Sequence, residues 1–290
     1  MSYQSILQAG IFTNRNIIVT GGGSGIGRCT AHELASLGAN VFLIGRNEEK
    51  LQLVQNEILT DGGQAVFFCC DIRQEADVKD LIDKIIAQYG PIDGLVNNAG
   101  GQFPAPLSKI SKNGWDAVIS TNLTGGFLVA REVFNQSMSK SGGSIVNIVA
   151  DMWGGMPGMG HSGAARAGMA NFTQTAAYEW GHAGVRVNAV APGWIASSGM
   201  DTYPDDFKVV LKSLPKAVPL GRLGNEAEIS SSLCFLLSDA ASYISGTVIR
   251  VDGAASQGNT AIYPLAKGKN LKPYKGFHRE IEAELFKSDD

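Results

Sequence analysis

Three strongly polar side chains stand in a stretch otherwise made of glycine, alanine and methionine: His161, Ser162 and Arg166 in MGHSGAARAGM, residues 159–169. Ser162 and Arg166 are four positions apart, so in a helix they share a face. A hydroxyl and a permanent cation on one face can orient and steady an oxygen that is gaining negative charge. The glycines and alanines around them also suit close helix packing. A second cluster lies near the N-terminus: Thr20-Gly21-Gly22-Gly23-Ser24-Gly25-Ile26-Gly27. Glycines there permit a tight turn and let backbone N–H groups approach an anion. A helix starting at that point adds partial positive charge suited to a pyrophosphate.

Short β-branched runs alternating with amphipathic stretches supply the elements that must position these residues. The pattern predicts strands over 16–20, 40–44, 65–70, 94–97, 144–149, 185–191 and 247–251. Helices are predicted over 29–37, 48–60, 75–89 and 163–180. Strands separated by helices point to an α/β fold. The expectation is a single-domain, Rossmann-like, doubly wound parallel sheet with helices on both faces and right-handed crossovers. The domain spans 1–255. Residues 194–220 break the rhythm and read as a mobile lid with one short helix. Residues 256–290 form a charged extension, with a terminal helix over 280–286, expected against a neighbouring subunit.

Bulk properties exclude several classes of function. The net charge of −3 comes with both signs interspersed and no basic stripe, which argues against nucleic acid and anionic membranes. No apolar run approaches the ~20 residues that span a bilayer. The start, MSYQSILQAGIF, lacks the pattern of a signal peptide, and the end, FKSDD, is not a peroxisomal SKL-type signal. A cytoplasmic location is expected. Cys29, Cys69, Cys70 and Cys234 show no metal-ligand spacing, so no metal is expected, and they read as buried free thiols.

The glycine spacing is TGxxxGxG, and it is accompanied by Asn97-Asn98-Ala99-Gly100, Asn122 in STNLTGGF, Gly143–Ile148 as GSIVNI, Pro192-Gly193-Trp194-Ile195 and Val251-Asp252-Gly253. Together these resemble the short-chain dehydrogenase/reductase family over about residues 12–255. The resemblance implies a nicotinamide cofactor held by Gly21, Gly23, Ser24, Gly25, Ile26 and Gly27. It places Asp71 and Ile72 at the adenine, Asn98, Ala99 and Gly100 along the ribose and backbone, and Pro192, Gly193, Ile195 and Ser197 near the carboxamide and phosphates. Asn122 and Arg166 would also touch the cofactor. An NAD site carries an acidic residue at the end of the second strand. Here that strand runs into Gly45-Arg46-Asn47, and Arg46 could fork onto a 2′-phosphate, with Arg28 a second candidate cation. NADPH is favoured over NADH.

A typical member of that family carries Tyr-x-x-x-Lys at the start of the helix after the fifth strand, and a serine thirteen residues before the tyrosine. Here Ser162 stands for the tyrosine, Arg166 for the lysine and Val149 for the serine. Tyr263 and Lys267 repeat the spacing, but in the extension. Arginine does not readily relay a proton, which disfavours an alcohol dehydrogenase cycle. Reduction of a double bond conjugated to a thioester needs oriented donors for an enolate instead. The HSGAARAG wording resembles the peroxisomal trans-2-enoyl-CoA reductase branch. The related 2,4-dienoyl-CoA reductases keep a lysine at 166 and use a tyrosine at the position of Asp151. Asp151 is a candidate proton donor, a partner for Arg166 or His161, or a loop cap. His161 could bond substrate or cap the helix. Met152, Trp153, Met156 and Met159 could line an acyl pocket or belong to the core. Other stretches resemble bacterial citronellol/citronellal dehydrogenases.

The catalytic set expected is therefore Asn122, Ser162, Arg166 and Asp151, in an NADPH-dependent reductase of an enoyl thioester. The alternatives are an alcohol/aldehyde dehydrogenase for an acyclic terpenoid, and a catalytically silent cofactor-binding protein. The small residues at the start of helix 163–180 fit either a homodimer or homotetramer interface or close packing on the chain's own sheet.

Overall fold

The computed structural model of the chain describes residues 2–258, 264–266 and 272–286. Its centre is a parallel sheet of β1 (Asn16–Thr20), β2 (Asn40–Gly45), β3 (Gln64–Cys69), β4 (Gly94–Asn97), β5 (Gly143–Ile148), β6 (Val185–Pro192) and β7 (Val248–Val251). The strand order is β3-β2-β1-β4-β5-β6-β7. Val19 of β1 stands opposite Leu43 on one side and Val96 on the other. The helices are α1 (Gly25–Ser36), α2 (Glu48–Thr60), α3 (Glu75–Tyr89), α4 (Lys112–Ile119), α5 (Gly126–Val133), α6 (Ser139–Ser141), α7 (Gly160–Trp180), α8 (Asp205–Ser213) and α9 (Glu226–Leu237).

The sheet is covered on both faces, which is why its central strands are apolar without alternation. One core joins the sheet to α1, α2 and α9 through residues such as Leu34, Val54 and Leu233. The other joins it to α3, α5 and α7 through Ile82, Val133 and Ala176. The order in which strands are added reverses between β1 and β4, which run parallel, so their carboxyl ends open a crevice where ligands of such folds bind. The single-domain, doubly wound architecture is as the pattern predicts.

The differences from expectation have local causes. Helix α1 starts four residues before the predicted 29, because its first turn is built from the glycine loop and carries little apolar periodicity. Cys69 is exposed at the end of edge strand β3, whereas Cys29, Cys70 and Cys234 are buried. The terminal helix expected over 280–286 is only a short turn, Glu284–Phe286.

The extension makes contacts of its own with the rest of the chain. Its described residues strap across their own chain. The Tyr274 hydroxyl donates to the Gln4 carbonyl at 2.6 Å. Phe277, 4% exposed, sits against Tyr3 and His32 under the Arg28 guanidinium. Arg279 forks onto Asp61 at 2.7 and 2.9 Å, and His278 bonds the same carboxylate. Further on, Asp201 of the lid accepts the backbone N–H groups of Glu284 and Leu285. Ala283 is buried with Met200 and Leu211.

Candidate active site

Two recesses of about 200 and 410 Å³ meet at Gly100, along the carboxyl ends of the strands. The first lies over the glycine loop. Gly21 adopts φ +66°, and a Cβ on Gly27 would stand 2.3 Å from the Gly21 carbonyl, so both positions require glycine. Ser24 does not cap α1 with its side chain, and the first turn holds no acidic residue. The N-terminal N–H groups of α1 are thus left for an external anion. Gly21, Gly23, Ser24, Asp71, Ile72 and Ala99 all line this recess. A dinucleotide with its pyrophosphate at the loop fits these features. Gly25 lies within the loop at φ +55°, while Ile26 faces the second recess.

Arg46 is exposed at the rim of the first recess and makes no ion pair among the described residues. Lys50 stands beside it, one turn into α2, whose N-terminus Asn47 caps by accepting the Lys50 N–H. Asp71 lies opposite, and its carboxyl is held below the usual range mainly by the Arg73 guanidinium, with a smaller contribution from Arg46. Arg28 does not join this group. It forks onto Glu57 at 2.8 and 2.8 Å, donates to the Arg279 carbonyl and is 7% exposed. The expectation of Arg28 at a 2′-phosphate is therefore corrected: its fork is consumed by a carboxylate on α2, away from both recesses.

Two asparagines hold the floor. Asn98 donates to the carbonyls of Thr20 and Gly21, and the Thr20 hydroxyl accepts the N–H groups of Asn98 and Ala99, locking β4 to the glycine loop. Asn122 is 2% exposed and lies in a π-helical turn, Ser120–Gly125. Such turns interrupt α-helices at functional positions. Its amide exchanges two bonds with Gly101, accepting from N–H at 2.8 Å and donating to the carbonyl at 2.9 Å. Asn122 thus fixes the 98–101 loop and does not itself line the recess.

Arg166 lines the second recess. Its Nη1 donates to the Ile148 carbonyl at 2.6 Å, and its Nη2 lies so near Gly100 that a Cβ there would be 2.6 Å away. Its Nε is buried with no partner among the described residues. Burial with no carboxylate beside it pulls the guanidinium down to about 10. Ser162 is fully buried and donates to Gln102 Oε1 at 2.7 Å. His161 is buried against Phe103, its Nδ1 accepting the Ser162 N–H and its Nε2 without a partner among the described residues. Asp151 forms no ion pair with Arg166 or His161 among the described residues, and its Oδ1 is buried without a partner. Neither Ser162 nor Asp151 reaches the wall of the recess. Trp153 instead stacks on Arg250, Met156 covers Gly163 and Met159 is buried, so these residues brace the loop.

The far wall comes from the lid side: Pro192, Gly193, Trp194, Ile195, Ser197 and Tyr203. A Cβ on Gly193 would meet Asp252 at 2.7 Å, which closes the turn after β6. Sequence reasoning missed Lys50, Gln102 and Tyr203. Lys50 had a local signal, three residues after a helix cap and beside Arg46. Gln102 and Tyr203 are 101 positions apart and had none; only the fold brings them together, with Gln102 Nε2 donating to the Tyr203 hydroxyl at 3.1 Å. Tyr263 and Lys267 lie outside the described residues.

Comparison with known proteins agrees with this geometry. A family model described as enoyl-(acyl carrier protein) reductase matches residues 21–256. The chain is 40% identical over 240 residues to a Bacillus subtilis protein named "Probable 2,4-dienoyl-CoA reductase", covering 82% of this chain and 94% of that one. It is 36% identical to a 3-oxoacyl-(acyl-carrier-protein) reductase of Staphylococcus epidermidis, over 83% of this chain and 98% of that one. Among solved structures it resembles the citronellol catabolism dehydrogenase of Pseudomonas aeruginosa PAO1, with 61% identity, a TM-score of 0.80, and coverage of 88% of this chain and all of that one.

Proposed function

Because the chain belongs to the short-chain dehydrogenase/reductase family of oxidoreductases, we propose that it uses NADPH to reduce the α,β double bond of an enoyl-CoA-type thioester. The observation that carries this reading is Arg166, a cation with no counter-carboxylate facing a recess, in a helix whose tyrosine position holds the buried Ser162. A bound dihydronicotinamide supplies a hydride. Arg166 holds ribose hydroxyls and steadies the thioester oxygen as it becomes an enolate. Asn122 keeps the 98–101 loop in place against the guanidinium. Val149, Trp194 and Met200 give the recess an apolar side for an acyl chain. The preference for NADPH rests on Arg46, which is free to fork onto a 2′-phosphate.

The test is oxidation of NADPH dependent on crotonyl-CoA by the purified full chain. Turnover supports the proposal. A second reading is favoured by the likeness to the citronellol catabolism dehydrogenase: oxidation of an acyclic terpenoid alcohol. Turnover with citronellol and none with the thioester selects that reading and removes the first.

A further inference from the structure

A reduction of this kind must end with a proton delivered to substrate, and the usual phenol at position 162 is missing. Ser162 does not replace it, because its hydroxyl is fully buried and its proton is directed at Gln102 Oε1. Asp151 lies off the wall of the recess, and His161 is closed in behind Phe103. Among the described residues that line the second recess, one side chain is of the kinds that donate a proton in general acid catalysis. It is Tyr203, on the lid.

We propose that Tyr203 is the proton donor, a catalytic phenol supplied by the lid in place of the one absent from α7, with Gln102 as its positioning residue. The inference rests on the reductase reading above and deepens it. Gln102 Nε2 donates to the Tyr203 oxygen at 3.1 Å, so the phenol accepts from the amide and keeps its own hydrogen for the substrate. The same bond stabilises the oxygen once its proton has gone. Gln102 is fixed in turn by Ser162, which gives the serine of α7 a role through another residue. Behind the ring, Tyr203 rests on Phe207, with ring centroids 5.3 Å apart. The two backbone bonds from Glu284 and Leu285 to Asp201 hold this part of the lid in place.

The step balances. The β-carbon receives the hydride, and the π pair of the double bond moves onto the thioester as an enolate. The O–H bond of Tyr203 breaks and a C–H bond forms at the α-carbon. The phenolate then takes a proton from water in the open recess, so the net consumption is one NADPH and one proton.

The test compares Tyr203→Phe with wild type, using NADPH and crotonyl-CoA. Wild-type turnover reports on the reductase reading; the ratio of variant to wild type reports on Tyr203. The expected loss in kcat is about 10²- to 10⁴-fold. KM and the NADPH dissociation constant, read from cofactor fluorescence, should stay within about threefold. Gln102→Ala should lower kcat by a smaller factor and alter the solvent deuterium isotope effect, which a purely structural role leaves unmoved. Tyr178→Phe, at a site 91% exposed on α7, should match wild type. A readout independent of turnover is the ¹³Cζ resonance of Tyr203 in tyrosine-labelled protein, which should shift when butyryl-CoA is added with NADP. A Tyr203→Phe variant that retains kcat within threefold, or a resonance that does not move, overturns the proposal. If wild type acts only on the terpenoid, the same comparison is made with citronellal, and an unchanged rate there overturns it too.

Discussion

Replacing Arg166 by methionine should raise the melting temperature of the cofactor-free protein and weaken cofactor binding at the same time. Burial without a counter-charge brings the guanidinium to about 10. One pH unit of lost proton affinity corresponds to about 1.4 kcal/mol, so the buried charge costs on the order of 3 kcal/mol. A base held less tightly in the folded state leaves that state with fewer protons than the unfolded chain only above pH 10. Stability is therefore regained only there, and at pH 7 the cost is at full size. Against it stands the bond from Nη1 to the Ile148 carbonyl, worth about 1.5–3 kcal/mol as a hydrogen bond from a charged group. Methionine keeps much of the packing of the stem. The net gain is about 1 kcal/mol, or ~2 °C for a chain of this size. With NADPH the sign reverses, because a lost charge-assisted bond to the ribose weakens binding about 10- to 100-fold. Calorimetry without cofactor and fluorescence titration with it measure both. A lower melting temperature without cofactor refutes the uncompensated-charge reasoning, and an unchanged dissociation constant removes Arg166 from the cofactor site.

Three more outcomes are expected. Arg46→Ala should raise the KM for NADPH about 10- to 100-fold and leave that for NADH nearly unchanged, as initial rates with each cofactor will show. Burial lifts the Glu226 carboxyl to about 7, so its contribution to stability is present below the ordinary carboxylate range and is lost as pH rises through 7. Glu226→Gln should therefore be more stable than wild type at pH 8.5 by on the order of 3 kcal/mol, with the gain vanishing toward pH 4.5, as a pH series of melting curves will read. Phe277→Ala should cost about 3–5 kcal/mol at the strap, seen as faster hydrogen exchange over 272–286 before the sheet exchanges.

The fold was legible because parallel strands buried on both faces must be apolar throughout, and NIIVT, NVFLI and SIVNIV say so directly. The glycine loop was legible because Gly21 and Gly27 answer to steric demands that only glycine meets. Arg28 was misplaced because sequence proximity to that loop says nothing about which way a side chain leaves its helix, and Glu57 claims the fork. The same limit hid the link between Ser162, Gln102 and Tyr203. It joins a helix, a strand-end loop and the lid, and no local spacing encodes it. The strap across the chain's own surface was not legible because its anchors, Phe277, Arg279 and Tyr274, are single side chains set into distant elements without any periodicity.

The strap gives the lid an unusual lineage of control. The residues that grip Asp201 come from the last stretch of the chain, about 80 positions away. That stretch lies outside the part of the sequence shared through the family model, which ends at 256. Drift in such a tail can alter how the segment around Asp201 is held while every residue facing substrate stays the same. Two relatives with identical clefts and different tails could thus differ in turnover alone. In this architecture, rate and selectivity can be inherited separately.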